Sequence, residues 1–207
     1  MGLLLFIIYV AFVSLGLPDA ILGAAWPVMY AEFNVPVGYA GVVSMIISAG
    51  TVISSLNTAK LVKRWRTGGV TAISVALTAV SLIGFSFSRH FWTLCLWAIP
   101  YGLGAGSVDA ALNNFVALHY KSRHMSWLHC FWGVGAAMGP GIVSLCLTNN
   151  LTWNNAYQAV GAIQVVLTGV LVVSLPLWRA TKNGGVDEKT SIQALSLGEI
   201  FRIPGAR

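Results

Sequence analysis

The apolar stretch LLLFIIYVAFVSLGLPDAILGAAWPVMY, residues 3–30, decides the fold class of this chain. It exceeds the roughly 20 apolar residues that carry a helix across a bilayer, and Asp19 is its only charged side chain. Hydrocarbon offers no hydrogen-bond partners, so a backbone that crosses it must pair its own polar groups, as a helix does. The stretch therefore predicts a transmembrane helix.

Five further apolar stretches follow, at approximately residues 37–59, 70–87, 91–118, 127–147 and 156–178. The whole chain is 57% hydrophobic and only 9% charged, whereas soluble domains carry roughly 25% charged residues. No ten-residue alternation of polar and apolar positions indicates a membrane β-barrel. These features predict an all-α membrane protein whose six transmembrane helices form one bundle over residues 1–178.

Residues 179–207 differ from the rest in composition. They begin with the polar, glycine-containing stretch RATKNGGVDEKTS, which is typical of a linker. Ser196 and Glu199 then have the spacing of a helix-capping box. We expect a cytoplasmic linker followed by the start of a further helix.

Basic residues in the loops predict the orientation, because Lys and Arg are retained on the cytoplasmic side of a membrane. Arg89 alone lies on one side of the predicted spans. All the other Lys and Arg residues lie on the opposite side: Lys60, Lys63, Arg64, Arg66, Lys121, Arg123, Arg179, Lys182, Lys189, Arg202 and Arg207. This partition predicts a multi-pass protein of the plasma (inner) membrane with both termini in the cytoplasm. It also explains the net charge of +6 as topology signals beside anionic lipid rather than as a nucleic-acid site.

Asp19 and Asp109 are the acidic residues that fall well inside predicted spans. An ionised carboxylate there costs about 2.5–3.5 kcal/mol, so each is a candidate for a functional role. Both helices are interrupted by proline and glycine, with Pro18 beside the first acid and Pro100 upstream of the second. If the bundle consists of two inverted three-helix repeats, the first and fourth spans correspond, and such paired interruptions point to a binding site.

Helical spacing adds companions to each acid. Gly16, Gly23, Trp26 and Tyr30 share the face of Asp19, while Gly106, Asn113 and Asn114 lie on or beside that of Asp109. Rings and amides suit a small polyhydroxylated solute, although the aromatic residues are equally explained as anchors at the membrane interface. The predicted substrate-binding residues are Asp19, Trp26, Tyr30, Asp109, Asn113 and Asn114. Asp19 and Asp109 are also the predicted proton-coupling residues, because a proton and a solute that bind one carboxylate are thermodynamically linked.

The fifth stretch contains the pair Gly135 and Gly139 followed by Pro140, which predicts close helix packing and a bend. The cysteines have neither disulfide nor zinc spacing, and we predict no metal, cofactor or catalytic residue. An intramembrane serine protease built on Ser107 would need a partner histidine in a later span, and His129 lies near a membrane boundary. The chain is therefore not predicted to be an enzyme.

Three segments of the chain, LGLPDAILGAAWPVMY, AIPYGLGAGSVDAALNNFVALHY and SWLHCFWGVGAAMGP, resemble the amino-terminal half of a bacterial major facilitator superfamily transporter. Within that superfamily they are similar to the fucose-permease-like group. The resemblance implies a fold of two six-helix halves, in which acids of the first and fourth helices, here Asp19 and Asp109, serve proton coupling and sugar binding. The expected function is half of a secondary transporter that couples protons to symport of a sugar or other small polar solute.

The departures from this family keep alternatives open. An Asp-Arg-x-Gly core normally joins helices two and three, but residues 63–66 read KRWR, so an acid that helps latch the two halves is missing. A transport-incompetent scaffold is one alternative. A drug/proton antiporter is another, because Gly135, Gly139 and Pro140 resemble an antiporter motif, although Ala98 replaces the arginine common in antiporters. We expect the polar face to pair with a second copy or with a carboxy-terminal six-helix half.

Overall fold

The computed structural model describes the backbone of residues 2–180 and the side chains of residues 2–178. This part of the chain is built of α-helices: α1 Gly2–Asp19, α2 Ile21–Glu32, α3 Tyr39–Ser86, α4 Phe91–His119, α5 Ser122–Thr148 and α6 Trp153–Ala180. The predicted all-α class is confirmed for these residues. The expectations for residues 181–207, including the capping box at Ser196 and Glu199, lie outside the described residues.

Within the described residues, five helical segments are long and apolar enough to cross a membrane: Gly2–Glu32, Tyr39–Ser86, Phe91–His119, Ser122–Thr148 and Trp153–Trp178. The first of them combines α1 and α2. The chain is therefore a multi-pass membrane protein. Its described part shows five candidate spans where the sequence predicted six, because the second and third predicted spans are joined in α3.

The junction between α1 and α2 follows from Pro18. Proline has no N–H, so the carbonyl of Ser14, four residues earlier, loses its helical donor. The side chain of Gln164 in α6 replaces that donor, with Nε2 2.7 Å from the Ser14 oxygen. Helix α1 then ends at Asp19, and Ala20 separates it from α2 with φ −98° and ψ −7°.

Helix α3 is interrupted at Arg66, whose φ of 62° and ψ of 163° are not helical. The break divides the helix into a first arm, residues 39–65, and a second arm, residues 67–86. At about 1.5 Å per residue the arms are roughly 40 Å and 30 Å long. The ring of Tyr39, where the first arm begins, lies 5.0 Å from that of Phe91, which follows closely on the end of the second arm. The chain thus folds back at Arg66.

One end of the bundle gathers the turn at Arg66 and the connection between α4 and α5. The Tyr9 hydroxyl lies 2.7 Å from Nδ1 of His124 at this end. The Cβ position of Gly68 lies against the ring of Trp178. We call this the basic end, since Lys60, Lys63, Arg64, Arg66, Lys121 and Arg123 lie in or beside these connections.

The opposite end is closed by contacts from the first residues of α6. Nε1 of the fully buried Trp153 donates to Oε2 of Glu32 at 2.6 Å. Nδ2 of Asn154 donates to the carbonyl oxygen of Ser86 at 2.9 Å. Arg89 lies at this end, on the turn between α3 and α4.

Glycines set the close approach of α1 and α5. A Cβ on Gly135 would meet the backbone oxygen of Val13, and one on Gly139 would meet that of Leu17. Because glycine has no side chain, the two helix backbones approach closely where larger residues would separate them. Pro140 follows inside α5, which continues to Thr148.

Candidate functional site

A cleft of about 320 Å³ opens between α1, the first arm of α3, α4 and α5. Its lining combines two carboxylates, an imidazole, an indole and a hydroxyl with apolar walls: Leu15, Asp19, Ile47, Thr51, Ala105, Asp109, His129 and Trp132. Asp19 and Asp109 are both exposed on this open face. The structure thus brings together the two acids that the sequence places in separate spans.

Asp19 is held by donors from two other helices. The Tyr101 hydroxyl of α4 donates to Oδ1 at 3.0 Å, and Nε1 of Trp132 in α5 donates to Oδ2 at 2.9 Å. Its position at the end of α1, next to the break at Ala20, points the side chain towards both helices. Each carboxylate oxygen keeps a further lone pair that can accept a hydrogen bond from a solute.

Asp109 has a more local environment. Asn113, one turn later in α4, donates from Nδ2 to Oδ1 at 3.0 Å. The exposed His129 of α5 lines the same cleft. The Asn113 Oδ1 atom is buried and has no hydrogen-bond partner among the described residues. The remaining lone pairs of the Asp109 carboxylate can accept hydrogen bonds from a solute.

The aromatic companions predicted for Asp19 lie elsewhere. Trp26 is only 5% exposed, and its Nε1 donates to the carbonyl oxygen of Val37 at 2.7 Å. Tyr30 is half-buried and packs against the cluster of buried apolar residues that contains Trp26. Trp26 and Tyr30 lie about 10 Å and 16 Å beyond Asp19 along the helical segment, and neither residue lines the cleft.

The amide pair predicted near Asp109 divides in the structure. Asn113 contacts Asp109 and Asn114 is exposed on α4, but neither amide side chain lines the cleft. The residues that sequence reasoning missed are Trp132 and Tyr101. Both act across helices, and spacing within one helix carries no signal for such contacts.

No curated protein matches the chain significantly. Residues 8–204 match the family model described as Major Facilitator Superfamily. Members of that family are secondary transporters, which move solutes through a membrane and catalyse no covalent reaction. Since the match spans nearly the whole sequence, the chain belongs to the major facilitator superfamily.

Proposed function

We propose that this chain takes part in proton-coupled symport of a sugar or other small polar solute, with the cleft at Asp19 and Asp109 as its binding site. The observation that carries the proposal is that these two carboxylates share one open cleft. Among the described residues, the remaining acid is Glu32, which lies at a helix end. A carboxylate at membrane depth is costly and marks a solute or proton pathway.

The proposed mechanism uses proton binding in place of covalent chemistry. A solute that fills the cleft displaces water and so disfavours the ionised carboxylate, which raises the affinity of that group for a proton. The protonated carboxyl group can still donate hydrogen bonds to solute hydroxyls and accept hydrogen bonds from them. When both ligands bind at one cleft, each changes the affinity for the other by the same factor. Trp132 and Tyr101 hold Asp19 in place, while Asn113 donates a hydrogen bond to Asp109.

We further propose that a second body completes the site. The cleft has walls from α1, α3, α4 and α5 and is open on the remaining side. Alternating access requires a second wall that moves against the first around a central site. A carboxy-terminal six-helix half or a second copy of this chain, related by an axis along the membrane normal, is the proposed partner.

The proposed topology has six crossings arranged as two inverted three-helix repeats. Each arm of α3 is long enough for the roughly 30 Å of hydrocarbon, and the chain folds back between them at Arg66. The basic end then faces the cytoplasm by the positive-inside rule, with both termini on that side and Arg89 outside. The proposed location is the plasma (inner) membrane.

Purified full-length chain in proteoliposomes loaded with the pH dye pyranine provides the test. The solutes are hexoses, pentoses and 6-deoxyhexoses, each added from outside without an imposed gradient. Symport predicts acidification of the lumen with one class of sugar, and its loss in Asp19→Asn and Asp109→Asn. Glu32→Gln is the matched control, because that acid lies outside the cleft.

The same assay separates the alternatives. Drug/proton antiport, which the Gly135, Gly139 and Pro140 element favours, predicts alkalinisation when a lipophilic cation such as ethidium enters. No proton movement with any solute would exclude coupled transport by copies of this chain alone. It would favour either a site completed by a carboxy-terminal half or a scaffold, for which the KRWR sequence at residues 63–66 is the supporting observation.

A further inference from the structure

A second cleft, of about 300 Å³, is bounded by helix α4 and by both arms of α3. We call it the arm groove; Ile53, Leu61 and Trp65 line it from the first arm, and Val70, Ile73 and Leu77 line it from the second. Ser54, Asn57 and Ser74 add polar groups to this mainly apolar lining. Leu103 and Ser107 line the groove from α4, each two residues from the Ala105 and Asp109 that line the acidic cleft. Since two helical positions differ by about 200°, the two clefts lie on different faces of α4.

The arm groove is open to the surroundings along its length. Ile53, Ile73 and Trp65 are 56%, 52% and 45% exposed although their side chains are apolar. From Ile53 to Trp65 the groove follows the first arm for roughly 18 Å, at about 1.5 Å per residue. One leaflet of a bilayer contributes about 15 Å of the roughly 30 Å hydrocarbon core. The groove therefore has the length and polarity of a lipid chain in one leaflet.

Positive charge is concentrated where the groove reaches the Arg66 turn. Lys60, Lys63, Arg64 and Arg66 are all exposed, and no acidic residue occurs in the sequence between Glu32 and Asp109. The Arg64 guanidinium carbon lies 5.7 Å from the centre of the Trp65 ring. Because Trp65 lines the groove, this contact places a cation at the groove wall.

We propose that the arm groove binds one anionic phospholipid of the leaflet at the basic end. The acyl chain fills the apolar groove, and the phosphate binds to Arg64 and its basic neighbours Lys60 and Arg66. A guanidinium suits this role, since its planar donors can hold a phosphate by two parallel hydrogen bonds. Basic clusters next to a membrane span attract anionic lipid in general, but the groove adds a bound chain with a stoichiometry of one.

Lipid binding to the delipidated full-length chain tests the proposal by native mass spectrometry. The probes are dioleoyl phosphatidylglycerol, dioleoyl phosphatidylcholine and the short-chain dihexanoyl phosphatidylglycerol. We expect one tightly bound molecule of dioleoyl phosphatidylglycerol. Dioleoyl phosphatidylcholine should bind at least tenfold more weakly, and the short-chain lipid should bind at least fivefold more weakly. Equal binding of both dioleoyl lipids, or of both chain lengths, would overturn the proposal.

Substitutions then locate the site. The double variant Lys60→Gln/Arg64→Gln should weaken phosphatidylglycerol binding at least fivefold, whereas Lys121→Gln/Arg123→Gln, a matched pair at the same end, should change it less than twofold. Ile73→Trp places a larger side chain in the groove from an exposed position. It should weaken phosphatidylglycerol binding at least fivefold without altering the melting temperature of the lipid-free protein. Equal losses in the two charge variants would show diffuse attraction and refute a site.

Discussion

The hydrogen bond from Gln164 to Ser14 predicts a specific coupling between α6 and the proline in α1. Gln164 is fully buried and Ser14 is 3% exposed, so water cannot replace the amide as a donor. If Pro18 is the reason that the Ser14 carbonyl needs this donor, the cost of removing Gln164 must depend on Pro18. We therefore compare Gln164→Met, which nearly keeps the side-chain length, in the native and Pro18→Ala backgrounds.

The magnitude follows from the groups left without partners. Removing Gln164 orphans a buried carbonyl, at about 1–3 kcal/mol, while interhelical hydrogen bonds in membranes average only about 0.6 and reach about 1.7 kcal/mol. The Oε1 atom of Gln164 is itself buried without a partner among the described residues, so Met also removes an unsatisfied acceptor. That gain occurs in both backgrounds and cancels in the double-mutant cycle. In Pro18→Ala, the restored N–H can donate to Ser14, and we expect a coupling of about 1 kcal/mol.

Reversible unfolding in mixed detergent and SDS micelles, followed by tryptophan fluorescence, measures the four free energies. Gln158→Met is the control, because Gln158 is exposed on the same helix. Gln164→Met should cost clearly more than this control in the native background and lose most of that excess in Pro18→Ala. A coupling within about 0.5 kcal/mol of zero, the range of independent sites, would refute the role assigned to the proline.

Gly135→Ala sets a methyl group against the Val13 carbonyl and should lower the free energy of unfolding by about 1–3 kcal/mol through overpacking. The control Gly133→Ala meets open space and should raise that free energy by up to about 1 kcal/mol through helix propensity. Equal effects of the two substitutions in the same titration would contradict the α1–α5 packing. Single cysteines at Arg66 and Arg89, in a cysteine-free background, should react with an impermeant maleimide from opposite sides, with Arg89→Cys labelled on intact cells and Arg66→Cys only after permeabilisation. Labelling of both from one side would exclude the proposed topology.

The sequence was informative where a single physical cost dominates. Long apolar runs indicate membrane helices because the bilayer leaves the backbone almost no other choice. The same reasoning selected Asp19 and Asp109, since a carboxylate in a span is expensive, and both line one cleft. Their pairing was predicted only on the assumption that the bundle consists of two inverted three-helix repeats.

Contacts between helices were much harder to predict. Trp132 and Tyr101 reach Asp19 from α5 and α4, and nothing in the spacing around Asp19 identifies them. Trp26 shares the face of Asp19 at a period of 3.6 residues, but it lies about 10 Å further along the helical segment and packs in the core. Periodicity identifies which residues share a helix face, but not which neighbour each of them packs against.

The two acids are equivalent in the sequence pattern but not in the structure, and this difference decides how substitutions at Asp19 can be interpreted. Its donors differ in kind, because the Trp132 indole can only donate, whereas the Tyr101 hydroxyl can also accept. Asn at position 19 can therefore turn its oxygen to Trp132 and its amide N–H to Tyr101, which keeps both contacts. Asp19→Asn removes the charge and the proton site while preserving the connections between α1, α4 and α5. A loss of proton coupling in that variant would report on the carboxylate itself rather than on a displaced helix.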